Sequence, residues 1–244
     1  MNSIEVKDLT KKFGDFTAVD HINFEIKQGE IFGFLGANGA GKTTAMRMLI
    51  GLLTPTSGTG TVAGYDVNTQ SEEIKKHIGY MSQKFSLYNN LTVKENIRFY
   101  GGLYNIPGKE LKVKTDELMA RLGLTDYANK LLQGLPLGWK QKLAFSVAIQ
   151  HKPKIVFLDE PTGGVDPVTR RQFWEMIYEA ANEGITVFVT THYMDEAEYC
   201  DRVSIMVDGK IAALDTPATL KKQFETENMD GVFRKLARGA ARTE

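Results

Sequence analysis

The sequence predicts an α/β fold: a parallel sheet with flanking helices, joined to an antiparallel β portion and an inserted helical subdomain. Three continuous apolar runs, at 31–35, 155–158 and 185–189, are typical of strands buried on both faces of a parallel sheet. Amphipathic segments of helical length lie between these runs. Such an alternation of strands and helices indicates parallel strands that are joined by crossover helices.

The sheet-forming segments fall into two parts of the chain, before about residue 82 and after about residue 154. We therefore expect residues 1–85 and 151–215 to form one core, with residues 86–150 inserted as a helical subdomain. Residues 216–244 are expected to form a helical tail, and its charge favours a solvated end. The basic residues of this tail include Arg234, Lys235, Arg238 and Arg242.

Local patterns predict the elements of the N-terminal third. Residues 22–26 alternate between apolar and polar, which indicates a strand with one exposed face. The apolar run 31–35 leads into a glycine-rich loop, and a helix is expected from about residue 42 to residue 52. Two further short strands are expected, at 61–63 and 78–81.

The middle of the chain carries helix boundaries. Thr92 and Glu95 have the spacing of a capping box, in which each side chain satisfies a backbone N–H of the other residue. Pro107 and Gly108 are expected to break this helix. A charged amphipathic helix should follow from about residue 109 to residue 122, and Gly123 should end it.

The last third predicts a helix and a hairpin. Asp166 followed by Pro167 is a typical N-cap with proline at the first helical position, and the helix should run to Asn182. Asp208 and Gly209 separate two apolar runs and favour a tight hairpin turn.

Composition excludes several classes of protein. Lys and Arg number 30 and Asp and Glu number 30, so the net charge is +0 and no nucleic-acid partner is expected. The single cysteine, Cys200, excludes an internal disulfide and cannot build a zinc site alone. No apolar run approaches the roughly 20 residues that span a bilayer, and the N-terminus has no signal-peptide core. Any membrane role is therefore expected to come through a partner.

The glycine-rich loop matches the phosphate-binding pattern G-x-x-x-x-G-K-[ST]. Glycines let backbone N–H groups point at a phosphate, and the following helix adds the positive end of its dipole. Lys42 is expected to bridge the outer phosphates and Thr43 to ligate magnesium. The predicted phosphate contacts are Gly36, Ala37, Asn38, Gly39, Ala40, Gly41, Lys42, Thr43 and Thr44.

Two consecutive acids follow the apolar run 155–158, at the edge of the sheet where ligands of parallel sheets bind. Asp159 is suited to hold magnesium, and Glu160 is suited to accept a proton from an attacking water. With the phosphate loop, these acids predict nucleotide hydrolysis.

The run 159–167 completes a resemblance to the ATP-binding cassette (ABC) family, which covers nearly the whole chain. The resemblance implies a P-loop NTPase core. It also implies that Gln83 links magnesium to the helical insertion, that His192 contacts the γ-phosphate, that Asp166 lies in the D-loop and that Phe13 stacks on adenine.

One segment departs from the family pattern. The signature Leu-Ser-Gly-Gly-Gln is matched here by residues 135–139, in which, of the two glycines, only the second, Gly138, is kept. Pro136, Leu137 and Trp139 replace the serine, the first glycine and the glutamine. This variant of the signature resembles the one in ATPase subunits of bacterial ABC-2 type exporters.

The resemblance implies an ATPase that dimerises, as a homodimer or heterodimer, around two Mg-ATP. It also implies separate membrane-spanning subunits, which would dock near Gln83, Phe85, Leu87 and Tyr88, and a location on the cytoplasmic face of the cell membrane. Three alternatives remain: an ABC ATPase that acts on ribosomes or DNA, a catalytically silent binding module, and a piece of a protein with tandem cassettes.

Overall fold

The computed structural model describes residues 2–83 and 87–240, the side chains of 238–240 excepted. Ten strands are described: β1 Asn2–Phe13, β2 Phe16–Lys27, β3 Ile31–Gly36, β4 Ser57–Val62, β5 Tyr65–Asp66, β6 Ile78–Met81, β7 Ile155–Asp159, β8 Thr186–Thr191, β9 Arg202–Val207 and β10 Lys210–Asp215. Eight α-helices are described: α1 Lys42–Leu49, α2 Ser71–His77, α3 Val93–Leu103, α4 Gly108–Arg121, α5 Leu137–Ile149, α6 Pro167–Asn182, α7 Pro217–Gln223 and α8 Met229–Ala240.

The central sheet has the order β10-β9-β3-β8-β7-β6. Its pairs are parallel except for the hairpin of β9 and β10. Strands β3, β7 and β8 are buried along their whole length, as their continuous apolar runs predicted. The parallel α/β prediction is therefore confirmed. Because these strands run the same way, β3, β6, β7 and β8 all end at one edge of the sheet.

The antiparallel portion is a second sheet, of order β2-β1-β4-β5. In β2, Ile22, Phe24 and Ile26 are buried while the residues between them are not fully buried, which confirms the predicted alternation. Phe24 stacks on Phe32 of β3 with ring centroids 5.7 Å apart. One apolar core thus joins the two sheets, and α1 packs into it.

Helices α3, α4 and α5 form the inserted helical part. Thr92 and Glu95 make the predicted capping box at the start of α3. Helix α1 ends at Leu49, three residues earlier than the sequence predicted. The reason is Gly51, whose φ of 71° ends the helix while the amide of Leu52 donates to the carbonyl of Arg47 at 2.9 Å.

The C-terminal tail corrects one expectation. Leu220 of α7 and Met229 and Val232 of α8 are buried in the main core, so this segment packs on the domain instead of forming a solvated end. Their apolar side chains, spaced for helical faces, outweigh the surrounding charges. The basic residue Arg242 lies outside the described residues.

Among the described helices, none combines the length and the apolar character that crossing a membrane requires.

Candidate functional site

The phosphate loop lies between the end of β3 and the start of α1, as the motif predicted. Gly41 has a φ of 103°, and a Cβ there would lie 2.4 Å from the carbonyl oxygen of Ala18 in β2. No other residue type fits this position without moving the backbone. The glycine therefore lets the loop pack directly against the antiparallel sheet.

A hairpin turn braces the same loop from another side. The amide of Gly209 donates to the carbonyl of Ala40 at 3.1 Å, and the amide of Asp20 donates to the carbonyl of Gly209 at 2.8 Å. Asp208 and Gly209 have φ values of 47° and 78°, as the predicted Asp-Gly turn requires. Main-chain bonds thus connect β2, the hairpin and the phosphate loop.

Lys42 is a buried cation at the start of α1, with its side chain 5% exposed. Its Nζ donates to the carbonyl of Gly36 at 2.8 Å and to that of Ala37 at 3.1 Å. Nζ also lies 3.8 Å from Glu160 Oε1. Burial lowers the pKa of the Lys42 ammonium, although the charges of Glu160 and Asp159 oppose this shift. A partly desolvated cation in this loop is well placed to attract phosphate oxygens.

Asp159 and Glu160 end β7 at the same edge of the sheet. Asp159 is buried, which raises the pKa of its carboxyl, and the hydroxyl of Thr190 donates to its Oδ1 at 2.7 Å. Glu160 has a φ of 49°, in the left-handed region, and its amide donates to the carbonyl oxygen of Thr190 at 3.1 Å. This conformation, which costs energy for a residue with a Cβ, turns the chain sharply after β7.

Glu160 is the centre of the site. Gln83, which follows β6, donates from Nε2 to Glu160 Oε2 at 2.8 Å. His192, which follows β8, places Nδ1 at 3.1 Å from the same oxygen, outside hydrogen-bond geometry. With Lys42 at the start of α1, three of the predicted catalytic residues therefore lie around the carboxylate of the fourth, Glu160.

The predicted metal ligands have the chemistry that Mg²⁺ prefers. Thr43, Asp159 and Gln83 offer a hydroxyl, a carboxylate and an amide oxygen, and Mg²⁺ bound beside nucleotide phosphates needs only one or two carboxylates. No group of three or more His, Cys, Asp or Glu side chains within residues 2–83 and 87–240 is arranged to hold a metal ion without other ligands. The buried Asp159, whose carboxyl has a raised pKa, gains most from a nearby dication.

The remaining predicted contacts lie elsewhere on the molecule. Phe13 is 51% exposed at the end of β1, and Lys11 Nζ lies 5.2 Å from its ring centroid. Gly138 and Asp166 line a separate cavity of about 460 Å³ between α5 and α6. A Cβ on Gly138 would lie 2.6 Å from Thr169 Cγ2, so the glycine permits this close approach.

The predicted docking residues differ in exposure, and one of them departs from expectation. Leu87 is 5% exposed and belongs to the core, so it cannot contribute to an open docking surface. Tyr88 is 46% exposed, and its ring meets that of the exposed Phe99 edge to face at 5.0 Å. Phe85 lies outside the described residues.

Sequence reasoning missed Thr190, which holds both acids of the site. Its hydroxyl donates to Asp159 and also accepts from the amide of Glu160 at 3.1 Å. A threonine within an apolar strand gives no sign of such a role, because threonine is common in strands.

Comparison with known proteins gives the family of the chain. Residues 19–163 match the family model described as ABC transporter. The probable multidrug ABC transporter ATP-binding protein YbhF of Escherichia coli is 53% identical over 90% of this chain, which spans only 38% of YbhF. The ABC transporter ATP-binding protein NatA of Bacillus subtilis is 35% identical over 97% of this chain and 99% of NatA.

Solved structures lead to the same family. The ATP-binding cassette MJ0796, as a dimer in a post-hydrolysis state bound to ADP and Pi, is 26% identical with a TM-score of 0.78. The match covers 87% of this chain and 98% of that one. The chain therefore belongs to the ABC transporter family, as an ATP-binding cassette.

Proposed function

We propose that this chain hydrolyses Mg-ATP to drive separate membrane subunits of an ABC-2 type exporter. The observation that carries the proposal is the contact of Glu160 with Lys42, Gln83 and His192. A carboxylate in this position is suited to accept a proton from a water, and the groups around it are suited to bind phosphate.

The residues divide the work of hydrolysis. The loop amides and Lys42 hold the outer phosphates, and Thr43, Asp159 and Gln83 would hold Mg²⁺. The metal, when bound, neutralises charge on the phosphates. Glu160 accepts the proton of the attacking water, and Gln83 fixes one oxygen of its carboxylate at 2.8 Å. His192, beside the same oxygen, is placed to contact the γ-phosphate.

Two copies of such a cassette, identical or different, would sandwich two ATP molecules head to tail. Pro136, Leu137 and Gly138 begin α5 beside Asp166 and line an open cavity. This surface would face the phosphate loop of the partner and complete its site, in an isologous arrangement. The dimeric state of MJ0796 supports this proposal.

The membrane subunits would contact the cassette beside Gln83, on the cytoplasmic face of the membrane. The exposed rings of Tyr88 and Phe99 offer an apolar surface in this region. We further propose that the exported compound is drug-like, which the name of the multidrug relative YbhF supports. The names of the relatives favour transport over action on ribosomes or DNA.

The experiment compares Glu160→Gln with the parent chain. We expect the variant to keep ATP binding and to lose about 10²–10⁴-fold in kcat, the usual contribution of a positioned base. Phosphate release at saturating Mg-ATP measures the loss. Glu72→Gln, with a side chain 77% exposed, is the matched control and should keep full activity. Undiminished turnover in Glu160→Gln would overturn the proposal.

A further inference from the structure

Glu196 is a buried acid that the mechanism above does not use. It lies in the short 3-10 helix Met194–Tyr199, and its side chain is 0% exposed. Both carboxylate oxygens are occupied: Thr162 Oγ1 donates to Oε1, and Thr191 Oγ1 donates to Oε2 at 2.6 Å. Arg170 Nε lies 3.6 Å from Oε1 and supplies the opposite charge.

The two hydroxyl donors belong to the segments that carry the catalytic groups. Thr162 is two residues beyond Glu160, in a turn that the amide of Gly163 closes by donating to the carbonyl of Glu160 at 3.2 Å. Thr191 immediately precedes His192, and its hydroxyl also accepts from the amide of Tyr193 at 3.0 Å. The carboxylate therefore fixes the turn after the base and both neighbours of the histidine.

A third element joins the same network. Arg170 is in the second turn of α6, and its Nη1 lies 3.4 Å from Asp195 Oδ2. Its guanidinium lies 4.5 Å from the ring centroid of Tyr193. The guanidinium thus links α6, whose N-cap is Asp166, to the segment after His192.

The chemistry of this network exceeds what packing needs. An apolar side chain of similar volume could fill the space without the cost of burying a charge. A carboxylate that accepts two hydroxyl bonds instead fixes the relative position of the segments that supply them. The two catalytic groups that these segments carry, Glu160 Oε2 and His192 Nδ1, lie 3.1 Å apart.

We propose that Glu196 is a positioning residue for ATP hydrolysis, because its buried carboxylate sets the placement of Glu160 relative to His192 through Thr162 and Thr191. The inference rests on the proposed ATPase function. Glu196 touches neither the nucleotide loop nor the reacting atoms; it acts through the two threonines.

The test is Glu196→Gln, which keeps the shape but removes the charge and one acceptor. We expect kcat to fall about 10- to 100-fold, as misplaced catalytic groups do. The KM for ATP should change less than about threefold, because the phosphate loop, between β3 and α1, lies outside the network. Glu198→Gln, an exposed acid two residues away that pairs with Lys221, is the matched control and should keep both constants.

Two further variants test the route of the effect. Thr162→Val and Thr191→Val each remove one hydroxyl with little change of shape, so they remain informative if Glu196→Gln folds poorly. Each should lower kcat at unchanged KM. The combination of Thr191→Val with Glu196→Gln should lose less than the product of the two single losses, because both changes act on the same hydrogen-bond network.

The outcomes separate the two proposals. A parent chain without ATPase activity refutes the proposed function and the inference together. An active parent with kcat retained in Glu196→Gln overturns the inference alone. A rise in KM that matches the fall in kcat, or multiplicative losses in the double variant, shows a general structural role and also overturns it.

Discussion

Replacing Lys42 by alanine should abolish ATP hydrolysis while leaving the fold nearly as stable as before. In the structure this ammonium is 5% exposed and donates to the carbonyls of Gly36 and Ala37. It also lies 3.8 Å from Glu160. The substitution therefore removes two hydrogen bonds, one ion contact and one buried charge at the same time.

These effects contribute to the free energy of unfolding with opposite signs. Two bonds from a charged donor contribute about 1.5–3 kcal/mol each, so the loss is about 3–6 kcal/mol. Burying an ammonium costs several kcal/mol, and the alanine variant avoids that cost. The net change should be about 2 kcal/mol or less in either direction. No such compensation exists for hydrolysis, because nothing else in the loop carries a positive side chain.

The lowered pKa of Lys42 also predicts how the free energy of unfolding depends on pH. Because burial lowers this pKa below the ordinary value of 10.5, the unfolded chain binds the proton more tightly than the folded one. The contribution of Lys42 to the free energy of unfolding therefore rises with pH, from the lowered pKa up to 10.5. Lys42→Ala should lack this rise.

The assay combines phosphate release at saturating Mg-ATP with urea unfolding at neutral and alkaline pH. Lys75→Ala, an exposed lysine in an ion pair with Glu72, is the matched control for both measurements. Full turnover in Lys42→Ala would refute the phosphate-loop assignment. Unfolding of the variant under native conditions would refute the balance of energies described above.

Two further predictions concern other surfaces. Pro136 has no N–H to donate, and Leu137 is 44% exposed. Adding Pro136→Ser and Leu137→Gly to the Glu160→Gln variant should therefore strengthen its ATP-driven dimerisation, as measured by size-exclusion chromatography. An unchanged elution profile would contradict this account of the signature loop. Phe13→Ala should raise the KM for ATP about tenfold with little change in kcat, since an aromatic stack contributes about 1–3 kcal/mol; an equal effect of Phe16→Ala would contradict a specific role.

Local patterns were sufficient for the parts of the fold that local physics controls. The apolar run of β3 and the cap at Asp166 are patterns of neighbouring residues, and both were predicted. The loop glycines were predicted from their motif, although the need for glycine at position 41 comes from the distant Ala18. The convergence on Glu160 was predictable in outline, because the parallel strands end at one edge.

The remainder depends on contacts between distant segments. Leu87 and Tyr88 are adjacent apolar residues, yet only Leu87 is buried. The difference depends on which of the two side chains faces the core beneath the helical part. The network of Glu196 joins residues 162, 170 and 191, and no periodicity connects them. The apolar faces of α7 and α8 were not recognised from the sequence, because charged residues alternate with the apolar ones along the chain.

The bracing of the phosphate loop by Gly209 has a consequence for sequence variation. Its two bonds, to Ala40 and from Asp20, use only main-chain atoms. Neither bond therefore depends on the side chain of residue 20 or residue 40, although the buried position of Ala40 admits only a small side chain. The loop shape is thus encoded in backbone geometry, and nucleotide encounters a cradle whose conformational entropy was already lost when the domain folded.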